Sequence, residues 1–138
     1  MLKIDFRRKR IADAGLTARI DVQVGDVLQD ALPGGHDVFL LANIIHYWSP
    51  ARNRELLKSV RASAERGASL LLADFWTNAT HTEPLMAALM AGEFAAHVKE
   101  GDVYSLDEVR QWLTETGWRF REHRALAGPV SVVVAEAA

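Results

Sequence analysis

One histidine and two aspartates follow three predicted strands, and together they could move a proton. Asp26 follows an alternating apolar segment, His46 follows a continuous apolar run, and Asp74 closes a third apolar run. Ligands of open α/β sheets bind beyond the carboxyl ends of the parallel strands, so we expect these side chains at one edge. An imidazole can take a proton from a hydroxyl near neutral pH, and a carboxylate can orient the ring and stabilise its cation.

Each of the three residues also has an interpretation without catalysis. His46 could be an ordinary core or surface histidine, and Asp74 could cap a helix or lie in water. Asp26 could accept a hydrogen bond from a purine amine, or it could form an Asx turn after Gly25. Their convergence on one sheet edge favours the functional interpretation more than any single residue does.

The elements that position these groups alternate between helix and strand. Apolar periodicity predicts a basic helix, three strands, two central helices, a capped fourth helix and a terminal hairpin. In chain order these elements are helix 2–14, strand 19–24, strand 37–42, a helix from Pro50 to Gly67, strand 69–73, a helix from Thr82, a helix after Ser105, and strands 118–126 and 131–136. We therefore predict an α/β fold, a partial Rossmann-like sheet with flanking helices and a C-terminal antiparallel hairpin, whose first strands are missing.

Composition excludes several classes of protein. A chain of 138 residues is one domain in size, and the absence of cysteine excludes a disulfide scaffold, a thiolate zinc site and a cysteine nucleophile. A net charge of −2 indicates no broad surface for nucleic acid or an anionic membrane, and we interpret 7–10 as a solvated helix face. Without an apolar run typical of a membrane helix or a secretory signal, we expect a cytoplasmic protein.

An ordered series of motifs resembles one enzyme family over nearly the whole chain. The series is similar to the C-terminal half of the S-adenosylmethionine-dependent methyltransferases of the caffeate, hydroxyindole and polyketide O-methyltransferase type. Its members are Gly25-Asp26-Val27-Leu28, Leu32-Pro33-x-Gly35-x-Asp37, Asn43-Ile44-Ile45-His46-Tyr47-Trp48, a strand ending in Asp74, Gly101-Asp102-Val103-Tyr104-Ser105-x-x-Glu108-Val109, and Glu115-Thr116-Gly117-Trp118.

The resemblance implies S-adenosylmethionine as cofactor and a hydroxyl of a small molecule as methyl acceptor. His46 falls on the family's general base, and Asp74 falls on the acid that holds this base. The resemblance further assigns Asp26, Val27 and Asn43 to the cofactor, and Trp48, Met86, Met90 and Phe94 to the acceptor side. Trp48 can equally serve packing, and a stripe of methionine and aromatic residues can equally be plain core.

The sequence departs from the family pattern at several points. Tyr47 stands where the family usually has aspartate, and the glycine-rich cofactor loop and the N-terminal dimerisation domain are absent. We therefore expect residues 1–138 to be the C-terminal part of a catalytic domain. Its partners would be a small-molecule acceptor and a second copy or a missing N-terminal half, and the isolated chain would be weakly active or inactive.

Two other functions remain open at this stage. Relatives that methylate the carbon of α-keto acids resemble this chain and place two histidines around iron or zinc, which here would be His46 and His97. Alternatively, the chain is an inactive fragment or a small α/β binding module with an exposed sheet edge.

Overall fold

The computed structural model describes residues 3–138, which form two compact units divided after Asp30. The N-terminal unit contains helix α1, Lys3–Asp13, followed by Gly15 at a left-handed φ of 69°. Glycine adopts this conformation without a steric penalty, so it ends the helix as predicted. The predicted helix is confirmed within the described residues, and its first residue, Leu2, lies outside them. Residues 7–10 are exposed, as a solvated helix face requires.

The predicted strand over Arg19–Val24 is wrong. This segment forms a turn and irregular backbone, and Ile20 and Val24 are exposed. Alternating apolar residues form a strand only where a neighbouring strand can accept their backbone hydrogen bonds. The described residues of the N-terminal unit contain no such strand. Asp26 therefore does not follow a strand, although the sequence predicts one before it.

The C-terminal unit contains the sheet and three helices, and it confirms most of the predicted elements. Their order is β1 (Val38–Ala42), a 3₁₀ turn (Ile45–Tyr47), α2 (Pro50–Ser63), β2 (Ser69–Asp74), α3 (Leu85–His97), α4 (Leu106–Glu115), β3 (Trp118–Ala125) and β4 (Ser131–Ala137).

The four strands lie in the order β1-β2-β4-β3. β1 and β2 are parallel, with Ala42 opposite Ala73, whereas β4 is antiparallel to both β2 and β3. Asp74 pairs with Ser131 at the start of β4. The carboxyl ends of β1 and β2 and the hairpin between β3 and β4 therefore share one edge of the sheet.

The core lies between one face of the sheet and helices α2 and α4. Helix α2 begins at the predicted Ser49 cap, whose hydroxyl accepts from the Arg52 N–H, and α4 begins at the predicted Ser105–Glu108 capping box. The indole N–H of buried Trp118 donates to the Leu57 carbonyl at 3.1 Å, which ties the hairpin to α2.

Two elements differ from their predicted form. The continuous apolar run over 37–42 predicts a strand that is covered on both faces, but Val38 and Leu40 on one face of β1 are 52% and 61% exposed. Helix α3 begins at Leu85 rather than Thr82, because the Asn78 side chain accepts from the Thr82 and Glu83 N–H groups and holds these residues in a turn.

Burial predicts how two leucines differ in their contribution to stability. Leu57 is fully buried on α2, whereas Leu89 is 58% exposed on α3. Leu57→Ala should lower the free energy of unfolding by about 2–5 kcal/mol, since it removes core contacts and leaves a cavity. Leu89→Ala should change it by less than about 0.5 kcal/mol. Denaturant unfolding of the chain measures both, and equal losses would contradict this assignment of the core.

Candidate active site

The chain makes a sharp change of direction where β1 ends, and this turn carries His46. Asn43 has a left-handed φ of 52°, a conformation that asparagine tolerates better than most residues. Its backbone N–H donates to the Ala73 carbonyl at 2.8 Å, which fixes the turn against β2. The 3₁₀ turn follows within two residues and brings the His46 side chain to the end of β2.

His46 and Asp74, both predicted from the sequence, lie in direct contact. The Nδ1 atom of His46 is 2.7 Å from Oδ1 of Asp74, and the residues are 4% and 1% exposed. A carboxylate can only accept, so the hydrogen of this bond belongs to Nδ1. In the neutral ring, Nε2 is then the unprotonated atom, and it has no hydrogen-bond partner among residues 3–138. This arrangement leaves Nε2 able to accept a proton.

The Asp74 carboxylate also holds the backbone around the histidine. Oδ2 accepts from the N–H groups of Ile45 at 3.0 Å and His46 at 3.4 Å, and Oδ1 accepts from the N–H of Phe75 at 2.9 Å. A buried carboxylate is costly unless hydrogen bonds replace the water that it has lost. The turn and the ring together supply those bonds.

Aromatic rings surround the imidazole. The ring of Phe94 on α3 stacks on His46 with centroids 4.0 Å apart and planes inclined by 2°. Tyr47 lies 4.4 Å away in a tilted arrangement, and Phe75 presents an edge at 6.2 Å. These rings exclude water, which strengthens the electrostatic interaction between His46 and Asp74.

Asn53 and Tyr104 hold the carbonyls of the same turn, and sequence reasoning missed this role in both. The amide of buried Asn53 donates to the Ile45 and Trp48 carbonyls, each at 3.0 Å. The Tyr104 hydroxyl donates to the Trp48 carbonyl at 2.6 Å. A signal for Asn53 was present, because it is a polar residue in helical register with the apolar stripe of α2.

Gly101 packs directly against the turn from the segment before α4. A Cβ built at this glycine would overlap the His46 carbonyl and lie 2.8 Å from the carbonyl carbon of Tyr47. The close approach is possible only because glycine has no side chain.

The predicted acceptor-side residues are distributed along α3 and the turn. Phe94 contacts the imidazole, whereas Met86 is exposed and Met90 is partly exposed on the same helix. Trp48 is partly buried, and its carbonyl is the atom that Asn53 and Tyr104 hold.

Two of the predicted cofactor residues, Asp26 and Val27, belong to the N-terminal unit. One oxygen of Asp26 accepts from the Leu28 N–H at 2.9 Å, which is the Asx turn considered for this residue. The other carboxylate oxygen makes no hydrogen bond within the described part of the chain. The third cofactor residue, Asn43, lies in the C-terminal unit, and its side chain is exposed at the end of β1.

His97, the second histidine of the metal hypothesis, lies exposed in the last turn of α3. Its Nδ1 atom is 2.9 Å from the Glu93 carbonyl of the same helix. Within residues 3–138, no group of three or more histidines and carboxylates is placed to hold a metal ion. In the same range, no helix is long and apolar enough to cross a membrane.

Comparison with known proteins identifies the family. A model of the O-methyltransferase domain matches residues 4–119. The chain belongs to this family. This O-methyltransferase domain has a Rossmann-like sheet of the class I type, because solved O-methyltransferases share its fold. An O-methyltransferase family 2 protein of Planctomyces limnophilus, in complex with apigenin, superposes on it with a TM-score of 0.90 at 24% sequence identity. The match covers 98% of this chain and 40% of that one.

Curated relatives and a further structure support the membership. The 3-hydroxy-5-methyl-1-naphthoate 3-O-methyltransferase of Streptomyces sahachiroi is 35% identical over 79% of this chain and 31% of its own length. The L-tyrosine C(3)-methyltransferase of Streptomyces lavendulae is 33% identical over 80% of this chain and 30% of its own length. The methyltransferase SibL in its apo form has a TM-score of 0.85 at 30% identity, over 96% and 40% of the two chains. The O-methyltransferase domain thus spans about a third of the length of these curated relatives.

Substitution of Gly101 tests how closely the O-methyltransferase domain packs against the 3₁₀ turn that carries His46. Gly101→Ala should lower the free energy of unfolding by about 1–3 kcal/mol, because the new methyl group forces the turn to shift. Gly92 in α3 has open space around it, so Gly92→Ala should stabilise the domain by about 0.5–1 kcal/mol through helix propensity. Denaturant unfolding measures both, and a neutral Gly101→Ala would contradict the close packing.

The raised pKa of Tyr104 predicts that the domain loses stability at alkaline pH. Burial, followed by the nearby carboxylates of Asp102 and Glu108, raises the pKa of Tyr104 from 10.0 to about 12. As the pH rises, the unfolded chain therefore loses the phenol proton before the folded chain does. The neutral phenol contributes fully to the free energy of unfolding below pH 10, and this contribution declines between pH 10 and 12. Unfolding at several pH values should show a steeper decline for the native domain than for Tyr104→Phe. Parallel declines would show that Tyr104 does not carry the effect.

Proposed function

We propose that this chain is the part of an S-adenosylmethionine-dependent O-methyltransferase that deprotonates the acceptor hydroxyl. The observation that carries the proposal is the buried pair of His46 and Asp74, whose Nδ1 and Oδ1 atoms are 2.7 Å apart. This pair orients a base whose second nitrogen has no partner within the described residues. Family membership gives the reaction in which such a base would act.

The proton moves from the acceptor hydroxyl to Nε2 of His46. The imidazole then carries a positive charge, which the adjacent Asp74 carboxylate stabilises without taking the proton itself. Loss of the proton turns the acceptor oxygen into a stronger nucleophile for the methyl group. A positioned base of this kind contributes about 10²–10⁴-fold to a rate. Holding the acceptor oxygen close to the methyl carbon supplies the rest through proximity.

Taken by itself, each unit has polar groups with the chemistry that the adenosyl part of the cofactor requires. When bound, S-adenosylmethionine supplies an electrophilic methyl group on a positively charged sulfur. The second oxygen of Asp26 can accept from the adenine amine, and Val27 can lie against the adenine ring. The exposed amide of Asn43, at the carboxyl end of β1, can donate to or accept from the cofactor.

The proposed acceptor is a hydroxyl group on an aromatic natural product. The naphthoate 3-O-methyltransferase is one of the most similar relatives, and the O-demethylpuromycin O-methyltransferase of Streptomyces alboniger is 30% identical over 91% of this chain. We further propose that the working enzyme is a homodimer or includes a segment outside this chain. The exposed apolar residues of α3, Leu85, Met86 and Leu89, would then be covered.

Methylation at carbon is a second candidate, favoured by the similarity to the tyrosine C(3)-methyltransferase. On a phenol, the same deprotonation by His46 places negative charge on the ring carbon beside the oxygen. That carbon can then take the methyl group, and it afterwards releases its own hydrogen as a proton, which restores the aromatic ring. The version in which His46 and His97 hold iron or zinc for an α-keto acid also stays a prediction. Metal content and sensitivity to chelators test it directly.

Substitution of the base tests the proposal. Methyl transfer to a hydroxynaphthoate should be measured for the product of the complete reading frame that encodes this chain. His46→Gln should lower kcat about 10²–10⁴-fold, because the general base is lost. His36→Gln, at an exposed histidine of the same unit, should leave kcat unchanged.

Calorimetric titration with S-adenosylmethionine completes this test. His46→Gln should bind the cofactor as the native protein does, since it changes the proton acceptor and not the adenosyl contacts. Unchanged turnover in His46→Gln would refute the base. No cofactor binding by the native protein would favour the inactive fragment or binding module.

A further inference from the structure

The closest stack of two aromatic rings within residues 3–138 is the one between Phe94 and His46. Their centroids are 4.0 Å apart and their planes are inclined by 2°, whereas Tyr104 and Trp112 in the core meet at 71°. A separation of 4.0 Å is near the contact distance of about 3.5–4.0 Å between carbon atoms, so the two ring faces overlap. The Phe94 ring therefore covers one face of the imidazole.

The strength of this contact differs between the two protonation states of His46. An aromatic face carries partial negative charge, so two neutral rings gain little electrostatic attraction when their faces lie parallel. A positively charged ring over the same face is attracted to it, most strongly where water is excluded. His46 is only 4% exposed, which leaves little water to hydrate an imidazolium. The face of Phe94 therefore favours the protonated ring over the neutral one.

Phe75 holds the Phe94 ring against the imidazole. It follows Asp74 directly, and its ring makes T-shaped contacts with Phe94 at 5.7 Å and with His46 at 6.2 Å. The backbone N–H of Phe75 donates to Oδ1 of Asp74, which is also the atom that contacts Nδ1 of His46. The carboxylate and the three rings therefore form one connected cluster, in which the end of β2 sets the position of Phe94.

Among the described residues, Asp74 on β2 is the one charged group in hydrogen-bonding contact with the imidazole. The other charged side chains on the elements beside the turn are exposed, so water screens their effect on the buried ring. Asp74 at the ring edge and Phe94 at the ring face are then the groups that stabilise an imidazolium. The other titratable groups beside the turn are Arg52 on α2 with its partner Glu100, Glu93 with its partner His97 on α3, Asp102 before α4, and the phenols of Tyr47 and Tyr104.

We propose, resting on the function proposed above, that Phe94 is a positioning residue for proton transfer to His46. Its ring face stabilises the imidazolium that forms when Nε2 takes the proton of the acceptor hydroxyl. It also fixes the plane of the imidazole, while Asp74 fixes the ring edge. No bond of Phe94 changes, because the proton passes from the hydroxyl to Nε2 and afterwards to water.

Removal of the aromatic face tests this inference through the protonation of His46. Nitrogen NMR of the histidine-labelled chain gives the pH at which half of His46 is protonated, and the signal absent from His46→Gln assigns the ring. Phe94→Leu should move this midpoint to lower pH by about 0.5–1 pH unit, because the imidazolium loses its aromatic partner. Phe94→Met, which fills the space without a ring, should move it in the same direction. Phe94→Tyr keeps the ring face and should stay close to the native midpoint.

A purely structural role of Phe94 predicts a shift of the opposite sign. A gap beside a buried imidazole admits water, which hydrates the cation and moves the midpoint to higher pH. Phe120→Leu on β3 is the matched control, because Phe120 lies against the Arg110 guanidinium at 4.3 Å rather than against His46. It should leave the midpoint unchanged. A midpoint in Phe94→Leu and Phe94→Met that is unchanged or lies at higher pH would overturn the proposal, as would an equal shift in Phe120→Leu.

Methyl transfer separates this inference from the proposed function. It should be measured with a hydroxynaphthoate for the product of the complete reading frame. Phe94→Leu should lower kcat about three- to tenfold on the alkaline side of the pH–rate profile, and the acid limb should move to lower pH together with the NMR midpoint. A shifted midpoint with full turnover in His46→Gln would refute the proposed function and keep the stack. An unshifted midpoint in an enzyme that needs His46 would refute only the role of Phe94.

Discussion

The buried carboxylate of Asp74 is the constraint on which the candidate active site depends. It accepts hydrogen bonds from three backbone N–H groups and from Nδ1 of His46. Removing its oxygens would leave several buried donors unpaired at once, and each such donor costs about 1–3 kcal/mol. The same group that orients the imidazole therefore also builds the turn that carries it, so the structure and chemistry of the site cannot be altered separately.

The rest of the C-terminal unit supports this turn from two further directions. Asn53 on α2 and Tyr104 before α4 hold its carbonyls, and Gly101 lets the chain pass directly against it. The packing of α2 and α4 against the sheet thus fixes the position of the turn that carries His46. Helix α3 is different, because it places Phe94 on the imidazole but buries only Ala87 fully. This helix has the surface that an acceptor or a covering segment would use.

The sequence was sufficient to predict the features that depend on local residue patterns and on strand direction. His46 and Asp74 were predicted to meet because adjacent parallel strands end at one edge, and caps at Ser49 and Ser105 marked two helices correctly. Contacts between residues far apart in the chain could not be derived in this way. The Tyr104 bond to Trp48 and the approach of Gly101 depend on how α4 packs, which periodicity does not encode. The prediction of a strand over Arg19–Val24 was wrong because an alternating apolar pattern does not show whether a neighbouring strand is present to pair with it.

The tautomer of His46 tests the central claim most directly. Nitrogen NMR of the histidine-labelled chain distinguishes a ring protonated at Nδ1 from one protonated at Nε2. The hydrogen bond to Asp74 predicts a neutral ring with hydrogen on Nδ1 and a bare Nε2, and a change in that signal in Asp74→Asn. A neutral His46 protonated at Nε2, or a signal that Asp74→Asn leaves unchanged, would contradict the proposed role of His46, because the proposed base would then lack its orientation or its free nitrogen.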